Sequence, residues 1–442
     1  MSRRAVLLSA LPLLAGALGC GRPPKAELDP KATLTTLQRA RPEVPPGDLA
    51  TALTTLAWRT HPDLAAAKAD LEAAKAGIRT AQARPNPSFG FGATKAEGVP
   101  QPWTLTYGLN LPIELGGKRR FRVKLAKLQV VEAELGVAET AWSLRSGVRA
   151  TLVDWQQARE ALRSAEEEAT LREALLKLQE QRFAAGEIGA PERATANLEA
   201  QRAEAARLTA RTGLDRAEAA LALAAGTTPD ALRTRLAAEP GPDLQLPPAP
   251  AERADDALVH RLEVRQVLVD WDRNETTLDL ELAKRIPDLQ VGPAYSLDQG
   301  VKKWTLGFTV ELPIFDRRQG PIAEAVARRG VLEARLRQVE ARALSEAELS
   351  RSREAEARAR LKAALQVLAE SQARLAVAQR AFDLGGSDRG ELLAAKLEDL
   401  QARSLAVEAW AETRRARLAL EDAFQKPLDP AEQPYPFDEA PR

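Results

Sequence analysis

The chain has 442 residues, with Lys+Arg 63 against Asp+Glu 62, so its formal net charge is +1. That balance excludes a global basic field for nucleic acid and an acidic solvating tail. A single cysteine, two histidines and one methionine exclude an internal disulfide and a cysteine-based zinc site, and leave no residues for a soft-metal relay.

In chain order, Arg3-Arg4 precede an apolar run from Ala5 to Leu18 that is too short to span a bilayer. This is the layout of a secretory signal peptide over 1–19. The run ends in Ala17-Leu18-Gly19-Cys20, which resembles the bacterial lipobox. The resemblance implies lipidation at Cys20, and Gly21 in place of Asp implies export to the outer membrane. Pro-rich sequence then predicts an extended lipidated tether over 20–48. No later segment has about 18 uninterrupted apolar residues.

The rest is one unit written twice. Trp103-Thr104-Leu105 returns as Trp304-Thr305-Leu306, and Leu111-Pro112-Ile113 returns as Leu312-Pro313-Ile314 in the same register. Phe183 to Gly186 returns as Phe382 to Gly385, followed by Glu192 and Glu391. Similar Ala-rich helices arise by chance, but Trp, Pro and Gly coinciding at fixed register do not. Repeat 1 covers 49–240, an equatorial linker 241–250, repeat 2 251–425, and a Pro-rich tail 426–442.

Each repeat opens with a helix, at roughly 49–83 and 251–284. A hairpin follows, within 87–114 and 288–315. Next comes a very long helix, at roughly 118–182 and 321–381. A tip turn, 183–190 or 382–389, leads to a closing helix, at roughly 191–224 and 389–424. A helix of about 65 residues is roughly 100 Å long. Leu361, Ala364, Leu368, Ser371, Leu375, Ala378 and Phe382 fall at alternating spacings of three and four. Leu393, Leu397, Leu400, Ser404, Val407 and Ala411 do the same, which is the seam of a coiled coil. The fold class is mainly α with a small β part.

Within Trp103–Leu111 the odd positions are apolar, and Thr104, Thr106, Gly108 and Asn110 alternate with them. Within Trp304–Leu312 the even positions are apolar, against Thr305, Gly307, Thr309 and Glu311. This two-faced alternation fits a hairpin on a soluble core or a wall of a membrane β-barrel, whose strands run to about 9–11 residues. Export and the scarcity of other strands favour the barrel. Four strands cannot close one, and an open edge in lipid leaves backbone groups unpaired. Three copies pooling their strands would give about twelve, wide enough for water. Thr104, Thr106, Asn110, Thr305, Thr309 and Glu311 would then line the lumen.

At this point the chain resembles the TolC family of outer-membrane efflux proteins, trimeric channel-tunnels with two repeats per protomer. Arg84-Pro85-Asn86-Pro87 and Leu111 to Arg119 look most like the CzcC-like heavy-metal branch, whose inner-membrane pumps are of the RND type. The resemblance implies a homotrimer in outer-membrane lipid that takes substrate from a periplasmic adaptor and such a pump, with no cofactor and no nucleic-acid partner. It implies adaptor docking at Phe183, Gly186, Phe382 and Gly385. It also implies a constriction of carboxylates at Glu192 and Glu391, with Asp388 beside them. The same acidic residues also suit helix N-termini, and Arg389 would dilute an acidic ring.

The alternatives are a type I secretion or drug-efflux outer channel, and a periplasmic coiled-coil structural lipoprotein. An enzyme is not expected. Gly116-Gly117-Lys118 lacks the earlier Gly and the following Ser or Thr of a phosphate loop.

Overall fold

The structure, a computed structural model, describes residues 28–39, 44, 45, 47–248, 259, 261–429, 432 and 435. The signal peptide and Cys20 lie outside them. Helix α1 (Pro30–Arg39) stands where the tether was expected to be extended, and it falls outside the compact unit formed by residues 42–442. Its LTTLQR stretch carries helix formers and no glycine, which offsets the Pro-rich flanks.

The compact unit begins with α2 (Leu49–Thr60) and α3 (Pro62–Gln82). A single helix over 49–83 was expected. Pro62 breaks it, because proline lacks the N–H that would continue the ladder and sits well only in a helix's first turn. His61 turns the break into a cap, its Nδ1 accepting from the Asp63 N–H at 3.2 Å. Strands β1 (Ser88–Lys95) and β2 (Trp103–Ile113) lead to α4 (Lys118–Ala184), and a turn leads to α5 (Ala190–Ala224). Helix α6 (Pro229–Ala237) was not expected, although Thr228-Pro229-Asp230 carries a start signal of polar cap, proline and acid.

Repeat 2 continues with α7 (Leu262–Ala283), β3 (Leu289–Asp298), β4 (Val301–Val310), α8 (Gln319–Asp383) and α9 (Arg389–Phe424). The described residues are thus mainly helical with one four-stranded antiparallel sheet, in the order β1-β2-β3-β4. The central pairing, β2 with β3, joins the two repeats, so each repeat gives one hairpin to a shared sheet.

Several buried clusters hold the helices, of which two are the largest. Leu49, Leu53 and Leu56 of α2 pack with Val148, Leu152 and Trp155 of α4, Leu221 of α5, and Leu232 of α6. Each fully buried side chain of this size contributes about 1.5–3 kcal/mol. Leu361, Ala364 and Leu368 of α8 pack with Ala402, Ala406 and Trp410 of α9. The seam of the sequence pattern holds for Leu361 to Ser371 but opens toward the tip, where Phe382 is exposed. Ser404 is exposed, its hydroxyl donating to Leu400 O at 3.0 Å, while Ala402 and Ala406 pack beside it on α9.

Beside the second core, the linker between the repeats is held by its backbone carbonyls. Arg159 donates to the carbonyls of Glu239 (2.9 Å) and Pro240 (2.5 Å). Arg358 donates to Pro247 O (2.6 Å) and Arg417 to Pro248 O (3.0 Å). Leu244 packs on the α8–α9 core.

Candidate functional site: the two-faced sheet and the helical tips

Strand register decides what the sheet presents. Phe91, Tyr107, Tyr295 and Trp304 are successive partners across all four strands. Their rings touch in sequence at centroid distances of 5.2, 6.4 and 4.8 Å. Phe89, Leu109, Pro293 and Leu306 form the next row on the same face. Among the described residues this face has no covering layer: Trp304 is 83% exposed, Phe308 65% and Phe89 62%. An apolar surface of this extent on one protomer marks a contact with lipid or protein.

The opposite face is polar. It carries Thr104, Thr106 and Asn110 of β2 and Thr305 and Thr309 of β4, all in phase. The Thr104 hydroxyl donates to Asp298 at 2.8 Å, and Lys303 pairs with the other oxygen of Asp298 at 2.6 Å. Asn110 donates diagonally to Gln290 at 3.2 Å. Glu311 is in phase with Thr309 but lies one residue past the end of β4, exposed. Among the described residues the outer edges of β1 and β4 have no strand partner.

At the other end of the long helices the chain reverses twice, by the same device. Gly186 and Gly385 adopt φ of +76° and +73°, a left-handed conformation that costs glycine little. The Gly186 N–H donates to Phe183 O (3.0 Å) and the Glu187 N–H to Arg182 O (2.9 Å). The Gly385 N–H donates to Phe382 O (2.9 Å) and the Gly386 N–H to Ala381 O (2.8 Å). These paired bonds close both helix C-termini. Phe183 is half-buried under the Arg193 guanidinium at 4.5 Å, while Phe382 and Leu384 stay exposed.

The acidic candidates divide here. Asp388 caps α9 by accepting from the Glu391 N–H at 2.8 Å, and Arg182 of the first tip pairs with it at 2.7 Å. The Glu391 N–H, and then the Arg182 guanidinium, hold the Asp388 carboxyl below the usual aspartate range. The Arg182–Asp388 pair ties the two tips together, and the repeat alignment gave no sign of it, because the partners lie 206 residues apart. Glu192 and Glu391 are exposed in the first turns of α5 and α9, where the helix dipole favours a carboxylate. Among the described residues neither has an ion-pair partner. No group of three or more His, Cys, Asp or Glu able to hold a metal occurs among the described residues. No helix among them is long and apolar enough to cross a membrane.

A protomer with a two-faced sheet open at both edges and helices of 67 and 65 residues ending in paired tips has the architecture of a channel-tunnel subunit. Residues 53–227 match the model of the outer membrane efflux protein family. The chain is 28% identical over 279 residues to the cobalt-zinc-cadmium resistance protein CzcC of Cupriavidus metallidurans. That match covers 61% of this chain and 64% of the relative, short of two-thirds of its length. Among solved structures, the outer membrane protein VceC of Vibrio cholerae aligns with a TM-score of 0.67 at 20% identity, covering 86% of this chain and 97% of that one. CusC, described as forming a transmembrane channel, aligns with a TM-score of 0.68 at 17% identity, covering 85% and 91%. Over residues 53–227 the chain is similar to the outer membrane efflux protein family, and its fold is that of the TolC-like channel-tunnels. The family and these neighbours are channels rather than enzymes.

Proposed function

We propose that three copies of this chain close a twelve-stranded barrel in the outer membrane and conduct substrate outward from the periplasm. The observation that carries this reading is the uncovered aromatic face of a sheet whose reverse is polar and whose two edges are free. Lipid would cover the first face, water the second, and neighbouring copies the edges. Thr104, Thr106, Asn110, Thr305, Thr309 and Glu311 would line the lumen. The parsing into repeats at 49–240 and 251–425, and a lipid anchor on Cys20, belong to the same reading.

The tips, with Phe183, Gly186, Phe382 and Gly385, would receive a periplasmic adaptor fed by an RND-type inner-membrane pump. Glu192 and Glu391 would each form a ring of three carboxylates near the entrance, favouring cations. The name of the C. metallidurans relative supports divalent metal cations as cargo.

The test is reconstitution. Purified protein should need detergent, run as an oligomer until heated, and conduct in planar bilayers. Glu192→Ala with Glu391→Ala should lower cation selectivity. Protein that stays soluble without detergent and never conducts is a periplasmic scaffold instead. Sensitivity of a deletion strain to cobalt, zinc and cadmium salts, set beside drugs and detergents, identifies the cargo. Sensitivity to drugs alone removes the metal assignment.

A further inference from the structure

The apolar face of the sheet carries strand cations at one end only. On β1, Phe89, Phe91 and Ala93 are followed in phase by Lys95; on β4, Lys302 precedes Trp304, Leu306 and Phe308 in phase. Register sets Lys302 opposite Leu297, one row beyond the Phe91–Tyr107–Tyr295–Trp304 band. Lys95 stands opposite Trp103, one row further still. At about 3.4 Å per strand residue, these positions lie roughly 7 and 14 Å past the band.

Helices α4 and α8 leave the sheet from the C-terminal ends of β2 and β4, so the lysine end is the end remote from the tunnel. Both lysines are exposed, and neither has an ion-pair partner among the described residues. Their neighbour on the polar face, Lys303, is by contrast neutralised by Asp298. A lysine above an aromatic band keeps its methylene stem on apolar surface and holds its ammonium group in a polar layer. A cation held at that height without a protein partner calls for an anion from outside the chain.

We propose that Lys95 and Lys302 form a docking surface for the phosphate groups of anionic lipid in the outer leaflet, repeated around the ring by each copy. The inference rests on the barrel reading above. It adds a preference for the charge of the lipid, which burial of an apolar face does not require.

Brominated-lipid quenching of tryptophan fluorescence tests it, because Trp103 and Trp304 sit on this face. The trimer is reconstituted into phosphatidylcholine vesicles containing a brominated-chain fraction of either phosphatidylcholine or phosphatidylglycerol. The relative binding constant for the anionic lipid should exceed one by about fivefold for each lysine engaged. It should fall toward one in Lys95→Gln/Lys302→Gln and remain at the wild-type value in Lys303→Gln. In the wild type alone it should shrink as salt rises from about 0.05 to 0.5 M, a reading that survives if the double variant fails to assemble. Equal quenching by the two lipids in the wild type overturns the docking surface and leaves the barrel standing. So does an equal loss in Lys303→Gln. Absence of quenching by either lipid overturns the barrel reading and this inference with it.

Discussion

At the first joint between strand and long helix, Ile113 to Lys118, the chain is gripped from several sides. Asp288 accepts from the Leu115 N–H (3.1 Å) and from Lys118 (2.7 Å), and Arg119 donates to Gln82 O (2.7 Å). Arg122 pairs with Glu114 and reaches Ala83 O. At the second joint, Leu312 to Gln319, most bonds are local. The Arg317 and Arg318 N–H groups donate to Gln319 and Asp316, and Arg318 alone reaches outward, to Glu281 at 3.3 Å. Here Leu312, Ile314 and Phe315 are exposed, Phe315 at 94%. Arg318 takes a left-handed φ of +63°, where the first joint uses glycine. The letters repeat, but the surroundings do not. The first joint lies inside the protomer between two paired hairpins, the second beside a free edge. What the second joint lacks, a neighbouring copy would supply.

The sharpest way to probe this difference is at Gly116. A Cβ there would stand 2.7 Å from the Ala283 carbonyl oxygen and 3.2 Å from Ile286, on a backbone with φ of +71°. Gly117 has the same φ and open space around it. Gly116→Ala should cost about 3 kcal/mol, combining left-handed strain with overpacking, and Gly117→Ala about 1 kcal/mol. Thermal unfolding followed by circular dichroism checks the order; equal losses would mean that the first joint is not gripped.

Asp288→Ala comes next. It leaves buried Lys118 without its anion, but Asp288 is itself 42% exposed, so solvent screening trims the loss to about 1–2 kcal/mol. Glu281→Ala, at the second joint, should cost less than half of that in the same melt, because two cations share that carboxylate and both are partly solvated.

Phe315→Ser should leave the melting of the protomer within about 0.5 kcal/mol of wild type. It should nevertheless lower the share of heat-labile oligomer on gels, since in the proposed trimer this exposed ring beside a free edge would make its contacts with a neighbouring copy. Unchanged oligomer content would break the comparison.

The smallest effect is at the tips. Asp388 has a depressed pKa, so its cap and ion pair are intact above the usual aspartate value of about 3.9. They weaken as pH falls through the lower folded value. Protection of the Glu391 amide, measured by hydrogen exchange corrected for intrinsic rates, should drop on acidification in the wild type. Asp388→Asn should show no such step.

Much of the fold could be read in the sequence because its signals are local. Alternation of apolar and polar residues located Trp103 to Ile113, and Trp, Pro and Gly at fixed register revealed the repeat. The misses have local causes too. Pro62 interrupts a stretch whose residues otherwise predict one helix, and the start signal at Thr228-Pro229 lies in the last part of repeat 1, beyond the closing helix expected at 191–224. β4 stops at Val310, inside the hairpin expected within 288–315, because its partner β3 begins at Leu289, the residue opposite Val310. What no local pattern carries is the pairing of β2 with β3, and with it the aromatic band and the Thr104–Asp298 bond. The Arg182–Asp388 bridge between the tips is equally non-local.

The grip on the linker has an evolutionary consequence. Arg159, Arg358 and Arg417 hold main-chain oxygens, which every residue type presents, so apart from Leu244, which packs on the α8–α9 core, the identities of the linker residues are nearly free to drift. Its length is not free, because one inserted residue between Pro240 and Pro247 would shift those oxygens off the guanidinium groups. Descendants of this duplicated ancestor should therefore vary the spelling of the splice between their halves while conserving its span.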